Sequence, residues 1–409
     1  MTHQEFVPSM YSNEIKSGKV SWQSPSNIAL VKYWGKKEHQ IPANPSISFT
    51  LNHCRSTTSL EFQKKEDKSD SFEFDFYFED KPKEDFKPKI QKFFERIQEY
   101  CPYLIDYNFI IRSENSFPHS SGIASSASGM SALALCIMDL ESQLNPEISE
   151  EHFQRKASFL ARLGSGSASR SIQGDLMIWG KHNDFESSSE LFAIRYEDEL
   201  HENFQNFQDT ILLVDKGEKQ VSSTVGHDLM HGHPFAEERF KQAHDNLSKL
   251  IPALKSGDYS EFIKIVESEA LTLHAIMMSS QPYFILMKPN TLEIINKIWK
   301  FREDTGIPAC FTLDAGANVH LLYPEDHAPK VLEFIKNELV AYCENGHYIC
   351  DQVGNGAKKF EWSAEYFGRL FVGLFWIFEP KVWTIQNLGA MLSDIFQWPK
   401  ELSLVSLAC

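Results

Sequence analysis

Ser24-Pro-Ser-Asn-Ile-Ala-Leu-Val-Lys-Tyr-Trp-Gly-Lys-Lys37 is the stretch on which the fold turns. An apolar run ends in three lysines, Lys32, Lys36 and Lys37, and a phenol, Tyr33. Lys32 follows Ile-Ala-Leu-Val directly, which puts its ammonium at the inner end of a strand rather than in bulk water. Read alone, the segment is equally a solvated charge cluster at a strand end. The rest of the chain decides between the two.

Downstream, Pro45-Ser-Ile-Ser-Phe-Thr-Leu51 alternates strictly, with Ile47, Phe49 and Leu51 on one face, and predicts a half-buried strand. Residues 64–85 are dense in charge, with Phe72, Phe74, Phe76 and Phe78 at period two, and predict an exposed strand. Ile90, Phe93, Phe94 and Ile97 fall at helical spacing. A strand over 107–112 runs into a Ser/Gly bend at 116–122, and a helix of small residues follows over about 124–140. After Asn206 a second block begins: a buried strand at 210–215, helices near 235–252, 258–277 and 290–302, a strand hairpin across 309–323, and a helix near 328–343. This is an α+β pattern of two domains, residues 1–205 and 206–356. Residues 357–409 form an unassigned aromatic-rich tail. From residue 360 on it holds four of the eight tryptophans, and Phe371, Phe375, Trp376 and Phe378 suggest an amphipathic attachment.

Composition narrows the function classes. The 409 residues carry 40 Lys+Arg against 56 Asp+Glu, a net charge of −16, which argues against a nucleic-acid-coating protein. An anionic small molecule must then be held in a locally basic pocket, because the global field repels it. The longest apolar run, Leu370 to Phe378, is far short of the roughly 20 residues a spanning helix needs. Seven scattered cysteines with no CxxC pair, behind a polar amino terminus, predict a cytoplasmic protein. Cys343, His347 and Cys350 are too sparse for a zinc pattern.

Four more segments carry candidate chemistry. In Phe117-Pro-His-Ser-Ser-Gly-Ile-Ala-Ser-Ser-Ala-Ser-Gly129, a Gly/Ser loop entering a helix presents unpaired backbone N–H groups to an anion. The bland alternative is a serine-capped helix start chosen for close packing. Gly164-Ser-Gly-Ser-Ala-Ser-Arg170 sets three hydroxyls beside a guanidinium suited to carboxylate or phosphate, or is simply a flexible connection. Phe311-Thr-Leu-Asp-Ala-Gly-Ala-Asn318 ends a strand on Asp314, which either orients a hydroxyl or caps a turn. Lys219-Gln-Val-Ser-Ser-Thr224 adds hydroxyls after a strand.

Together, in order and spacing, the five segments resemble the GHMP kinase superfamily and, within it, the diphosphomevalonate decarboxylases. The resemblance covers roughly residues 20–356. It rests on Asn27 to Lys36 (N-I-A-x-x-K-Y-W-G-K), Pro118 to Ala127 for the phosphate loop, and Gly164 to Arg170 for G-S-G-S-A-C-R with Ser169 in place of cysteine. Val221 to Thr224 stands for V-S-S-T, and Thr312 to Asn318 for T-F-D-A-G-P-N with Ala317 in place of proline. It implies a two-domain GHMP kinase-like α+β fold, with the site between an N-terminal α/β domain and a ferredoxin-like C-terminal domain. Further implications are ATP and Mg²⁺ as cofactors, a homodimer, and ATP-dependent decarboxylation of mevalonate 5-diphosphate. Asp314, Lys32 and Arg170 would be catalytic. Tyr33, Lys36, Ser165, Ser167, Ser223 and Asn27 would bind substrate. Ser120, Ser121, Gly122, Ala124, Ser125 and Ser126 would cradle the nucleotide, with Ser126 also on Mg²⁺. Two rivals stand beside this reading: a GHMP kinase acting on mevalonate or a phosphomevalonate without loss of CO₂, and a non-catalytic binding protein.

Overall fold

The computed structural model describes residues 2–67, 69–118, 123–217 and 223–360. The first part of the chain forms β1 (Ser17–Val31), β2 (Ser46–Lys64), β3 (Glu73–Phe78), β4 (Lys81–Pro82), α1 (Lys87–Ile97), β5 (Tyr107–Asn115), α2 (Ser125–Leu144), α3 (Glu150–Gly164), β6 (Leu176–Trp179) and β7 (Ile194–Arg195). The second part forms β8 (Gln208–Leu212), α4 (Ser223–Asp228), α5 (Ala236–Ser256), α6 (Tyr259–Ser279), α7 (Pro289–Thr305), β9 (Cys310–Thr312), β10 (Val319–Tyr323), α8 (Ala328–Phe334), β11 (Tyr348–Gln352) and β12 (Lys358–Lys359). The fold is α+β, built on two sheets.

The first sheet has the order β12-β1-β2-β5-β3-β4, with β6 paired to the start of β2 and β7 to β6. β1 and β2 run antiparallel through Val20↔Leu60, and the register slips between Pro25 and Asn27 and again between Ala29 and Val31. Those irregularities bend the end of β1 out of the ladder just before Lys32. Helices α2 and α3 pack together, and α2 packs on β1 and β2. Small residues make part of that contact: Ser131 Oγ lies 2.5 Å from Ser24 Oγ of β1, and Ser128 Oγ 2.6 Å from Ser56 Oγ of β2.

Two expectations about this sheet are corrected. The phenylalanines of β3 are not an exposed row: Phe72 and Phe74 meet Phe94 edge-on at 5.5 and 5.3 Å, and Phe76 and Phe78 stack on Phe86 at 5.6 and 6.0 Å. The charges between them mark the solvent face only, and α1 covers the other. The serine face of β2 was expected in water, yet Ser46, Ser48 and Thr50 are buried as completely as Ile47 and Phe49. Ser46 Oγ accepts from Arg170, and Thr50 Oγ1 lies 2.8 Å from the Gly174 carbonyl and 2.7 Å from that of Gly354. Protein partners thus replace water for Ser46 and Thr50, while the buried Ser48 Oγ has no partner among the described residues.

The second sheet is wholly antiparallel, in the order β11-β8-β10-β9. The 309–323 hairpin and the three long helices fall where the periodicity placed them. The strand expected at 210–215 begins two residues earlier and ends at Leu212. β11 was not foreseen, and the helix expected over 328–343 is regular only to Phe334 before it widens over Ile335–Leu339 and tightens over Val340–Tyr342. After β11 the chain recrosses to the first sheet, where Lys359 pairs with Trp22 and Lys358 with Gln23. The proposed attachment through Phe371, Phe375, Trp376 and Phe378 lies outside the described residues. No helix among the described residues is long and apolar enough to cross a membrane.

Candidate active site

One cavity of about 290 Å³ is lined by the end of β1, the start of α2, the loop after α3, α4, and the turn between β9 and β10, with Gln40, Lys89 of α1 and Leu273 of α6 completing the wall. Lys32 leaves β1 with its side chain 2% exposed, and its Nζ donates to Asp314 Oδ1 at 3.0 Å. Asp314, 29% exposed, stands at the mouth of the turn after β9. Burial pushes the Lys32 ammonium below its ordinary value, and the Asp314 carboxylate works against that shift. Charge cluster and strand-end lysine were both open readings of this stretch. The observed Lys32 is buried, and paired across the two sheets.

Arg170 enters from the short helical turn Gly166–Ser171, which follows α3. Its guanidinium is buried, donating to Ser46 Oγ and, through Nε and Nη2, to Asn27 Oδ1 at 3.4 and 3.3 Å. Burial lowers it to about 10, opposed by Asp314 and Tyr33. Asn27 therefore lies behind the arginine rather than on the cavity wall, its own amide donating to the Ser167 carbonyl at 3.1 Å and to Ser171 Oγ at 2.8 Å. Gly166 allows the phenol of Tyr33 to approach the loop: a Cβ there would sit 2.8 Å from the Tyr33 oxygen and 3.0 Å from the Trp179 ring.

α2 begins at Ala124, which has φ +42° and ψ +38°, a left-handed conformation costly for a residue with a Cβ, and no side chain caps the helix. The N-cap residue is an alanine and not a serine, which sets the serine-capped alternative aside, and the first turn of this 20-residue helix borders the cavity at Ala124 and Ser126. Ser126 faces Ser165 across the opening, oxygen to oxygen at 3.5 Å.

Of the residues singled out from sequence, Lys32, Tyr33, Lys36, Ala124, Ser126, Ser165, Ser167, Arg170 and Asp314 line this one cavity. Ser125 is in the adjoining first turn of α2. Ser120, Ser121 and Gly122 lie outside the described residues. Ser223 opens α4, and its side chain is also outside them.

Sequence reading missed Lys89, Gln40, Trp34 and His227, which share the wall. His227 is held between the Tyr33 and Trp34 rings at 4.3 and 4.6 Å, and its Nδ1 accepts the Gly35 N–H at 3.0 Å. Gly35 can present that amide because it adopts φ +93°. Burial, with Lys36 and Arg170 nearby, drives the imidazole down to about 3, so it is neutral. Nothing in the spacing around the V-S-S-T segment announces this histidine. It belongs to the site only through the ring stack.

The donor set bears on a metal. Among the described residues, Asp314 is the one carboxylate on the cavity wall, and no cluster of three metal-ligating side chains occurs. Such a wall fits a hard cation that arrives with phosphate oxygens and water and takes one or two protein oxygens, for which Ser126 Oγ and Asp314 are candidates on that wall.

Two family models match the chain: the diphosphomevalonate decarboxylase-like N-terminal domain over residues 24–190, and the mevalonate 5-diphosphate decarboxylase C-terminal domain over residues 210–365. A diphosphomevalonate decarboxylase of Debaryomyces hansenii is 30% identical over 334 residues, covering 76% of this chain and 81% of its own. A phosphomevalonate decarboxylase of Haloferax volcanii is 27% identical over 312 residues, covering 75% of this chain and 88% of its own. Among solved structures, mevalonate diphosphate decarboxylase from Staphylococcus aureus superposes with a TM-score of 0.71 at 26% identity, over 84% of this chain and 98% of that one. A complex of MDDEF with MVAPP, AMPPCP and magnesium gives 0.72 at 26% identity, over 84% and 99%.

Proposed function

We infer the chemistry of the cavity from one premise, that this chain belongs to the diphosphomevalonate decarboxylase family. It catalyses the ATP-dependent decarboxylation of mevalonate 5-diphosphate to isopentenyl diphosphate, with release of ADP, phosphate and CO₂. One observation above all supports this reading: the Lys32–Asp314 pair at 3.0 Å shares a cavity with Arg170 and the uncapped start of α2.

A tertiary hydroxyl is a poor leaving group, and phosphorylation makes it a good one. Phosphoryl transfer is mainly a matter of alignment and charge. In our assignment the amides at the start of α2, with the loop before it, hold the nucleotide phosphates. Asp314 accepts the proton of the substrate's C3 hydroxyl as that oxygen attacks the γ-phosphorus and ADP departs. Lys32 keeps Asp314 ionised until then. Ser126 would hold Mg²⁺ together with the phosphate oxygens, and the ion would supply charge neutralisation. The C3–O bond then breaks toward phosphate, the C1–C2 electron pair becomes the C2=C3 double bond, and C1 leaves as CO₂.

Arg170 pairs with the substrate carboxylate. That ion pair is strongest before CO₂ departs, so it cannot speed C–C cleavage by differential binding. Its contribution is alignment, and relief of repulsion between the carboxylate and the incoming phosphoryl group. Tyr33, Lys36, Ser165, Ser167 and Ser223 grip the anionic ends of the substrate, while Asn27 steadies Arg170. We further place the enzyme in the cytoplasm as a homodimer, which light scattering of the purified chain would test.

The deciding measurement is stoichiometry. With mevalonate 5-diphosphate, ADP, phosphate and CO₂ should form in equal amounts, and ADP without CO₂ would establish the kinase reading instead. Running the 5-monophosphate in parallel decides which substrate the phosphate-binding end accepts.

A further inference from the structure

Lys32 and Asp314 belong to different sheets, yet their pairing distance must hold through each turnover. Just past Val31, where β1 ends, the backbone of Lys32 has no ladder partner. Its N–H donates instead to Glu269 Oε2 at 2.8 Å, and its carbonyl accepts from Arg239 Nη2 at 3.1 Å and from Asn44 Nδ2 at 2.9 Å. Glu269 and Arg239 pair in a fork, Nη2 to Oε2 at 2.6 Å and Nη1 to Oε1 at 3.0 Å, and Asn246 Nδ2 donates to Oε1 at 2.7 Å. The pair is almost wholly out of water, at 1% and 0% exposure. A buried ion pair is a poor source of stability, since desolvation consumes most of its attraction and an apolar pair of the same volume often serves as well. What an apolar pair could not do is satisfy both backbone polar groups of one residue, the N–H and the C=O of Lys32.

The helix that carries Glu269 also carries His274, five residues or about 7.5 Å further along α6. His274 is buried, and its Nε2–H donates to the Asp314 carbonyl at 3.1 Å. α6 packs against both β1 and β9, the two strands that lead into the pair. One rigid element therefore grips the backbone of each partner.

We propose that Glu269 with Arg239, and His274, are positioning residues of the reaction: α6 is a template that sets the Lys32 ammonium against the Asp314 carboxylate. The inference rests on the assignment of that pair to phosphoryl transfer. It predicts a loss in turnover, not in binding, when a hold is removed, because the cavity wall itself is untouched.

The test compares the parent enzyme with His274→Gln, which keeps an N–H donor at a similar reach, His274→Phe, which keeps bulk and loses the donor, and Glu269→Gln. ADP formation is followed under single and multiple turnover, with KM for mevalonate 5-diphosphate and ATP. His274→Phe should lower kcat at least tenfold with both KM values within threefold, and His274→Gln should recover most of that loss. A kcat for His274→Phe within twofold of the parent, or equal losses in Phe and Gln variants, overturns the proposal. Crystal structures of the two His274 variants add a readout free of activity: the Lys32–Asp314 separation should lengthen past 3.5 Å in Phe and stay near 3.0 Å in Gln. Unchanged separation in Phe also overturns it, and these results hold if Glu269→Gln fails to fold. Since variants are scored by ADP alone, a parent enzyme that releases no CO₂ would defeat the decarboxylase reading without touching this comparison.

Discussion

Arg170 is costly to hold, because burial works against its charge. Its guanidinium is buried on Asn27 and Ser46, so it stands ready for an anion with almost no freedom left to lose. Replacing it with Gln should weaken substrate binding and slow phosphoryl transfer together, by about 3–5 kcal/mol in transition-state stabilisation. Single-turnover assays that found normal ADP formation and only delayed CO₂ release would contradict the role given to it. The two site histidines make a separate prediction. Burial drives His227 to about 3 and His274 to about 4, so both should stay neutral at pH 6, and their ring C–H resonances should not titrate between pH 8 and 5. The sign for stability follows. The unfolded chain takes up these protons near pH 6.5 and the folded chain resists them, so the contribution is complete above 6.5 and is lost as pH falls toward 3. Urea unfolding of His227→Met should lose stability less steeply than the parent below pH 6.5, by about 1 kcal/mol per pH unit.

At the scale of elements, the loop after α3 shows why its glycines matter. Gly166→Ala would push a methyl group against the Tyr33 oxygen and the Trp179 ring. It should raise KM for mevalonate 5-diphosphate several-fold while shifting the melting temperature little, since the crowded phenol faces a cavity and can yield into it. Steady-state kinetics beside a thermal melt would check both halves.

The same loop marks what was legible in the sequence. Lys32, Arg170 and Asp314 could be singled out because each ends a distinctive local pattern, an apolar run or a Gly/Ser string. Glu269, Arg239 and His274 sit inside ordinary amphipathic helices, where a buried charge and a surface charge have the same periodicity. Only the packing of α5 and α6 against β1, and of α6 against β9, separates them. The burial of Ser46, Ser48 and Thr50 was hidden for a related reason: alternation identifies two faces of a strand but not what lies over the second one. β11 and β12 were missed because both are short and take their partners from residues far back in the chain.

For the whole molecule, the segment from 351 to 360 fastens one lobe to the other. The Asp351 carboxylate accepts three consecutive amides at the middle of β2, from Asn52, His53 and Cys54, at 2.9, 2.8 and 2.7 Å. Arg55 donates to the Gly356 carbonyl at 2.8 Å, and Lys359 pairs with Asp139 at 2.8 Å. Asp351→Ala strands three amides and should cost about 2–4 kcal/mol, read from urea unfolding. A chain ending at Phe360 should melt several degrees above one ending at Gly356, because only the longer one retains β12 on the edge of β1.

That return crossing has a consequence for how the protein is made. The sheet begun by residue 17 gains its last strand only when residue 359 has left the ribosome. Until then Trp22 and Gln23 lack the strand partner they have in the finished sheet. That part of the edge is therefore closed last, after Lys32, Arg170 and Asp314 have all been made.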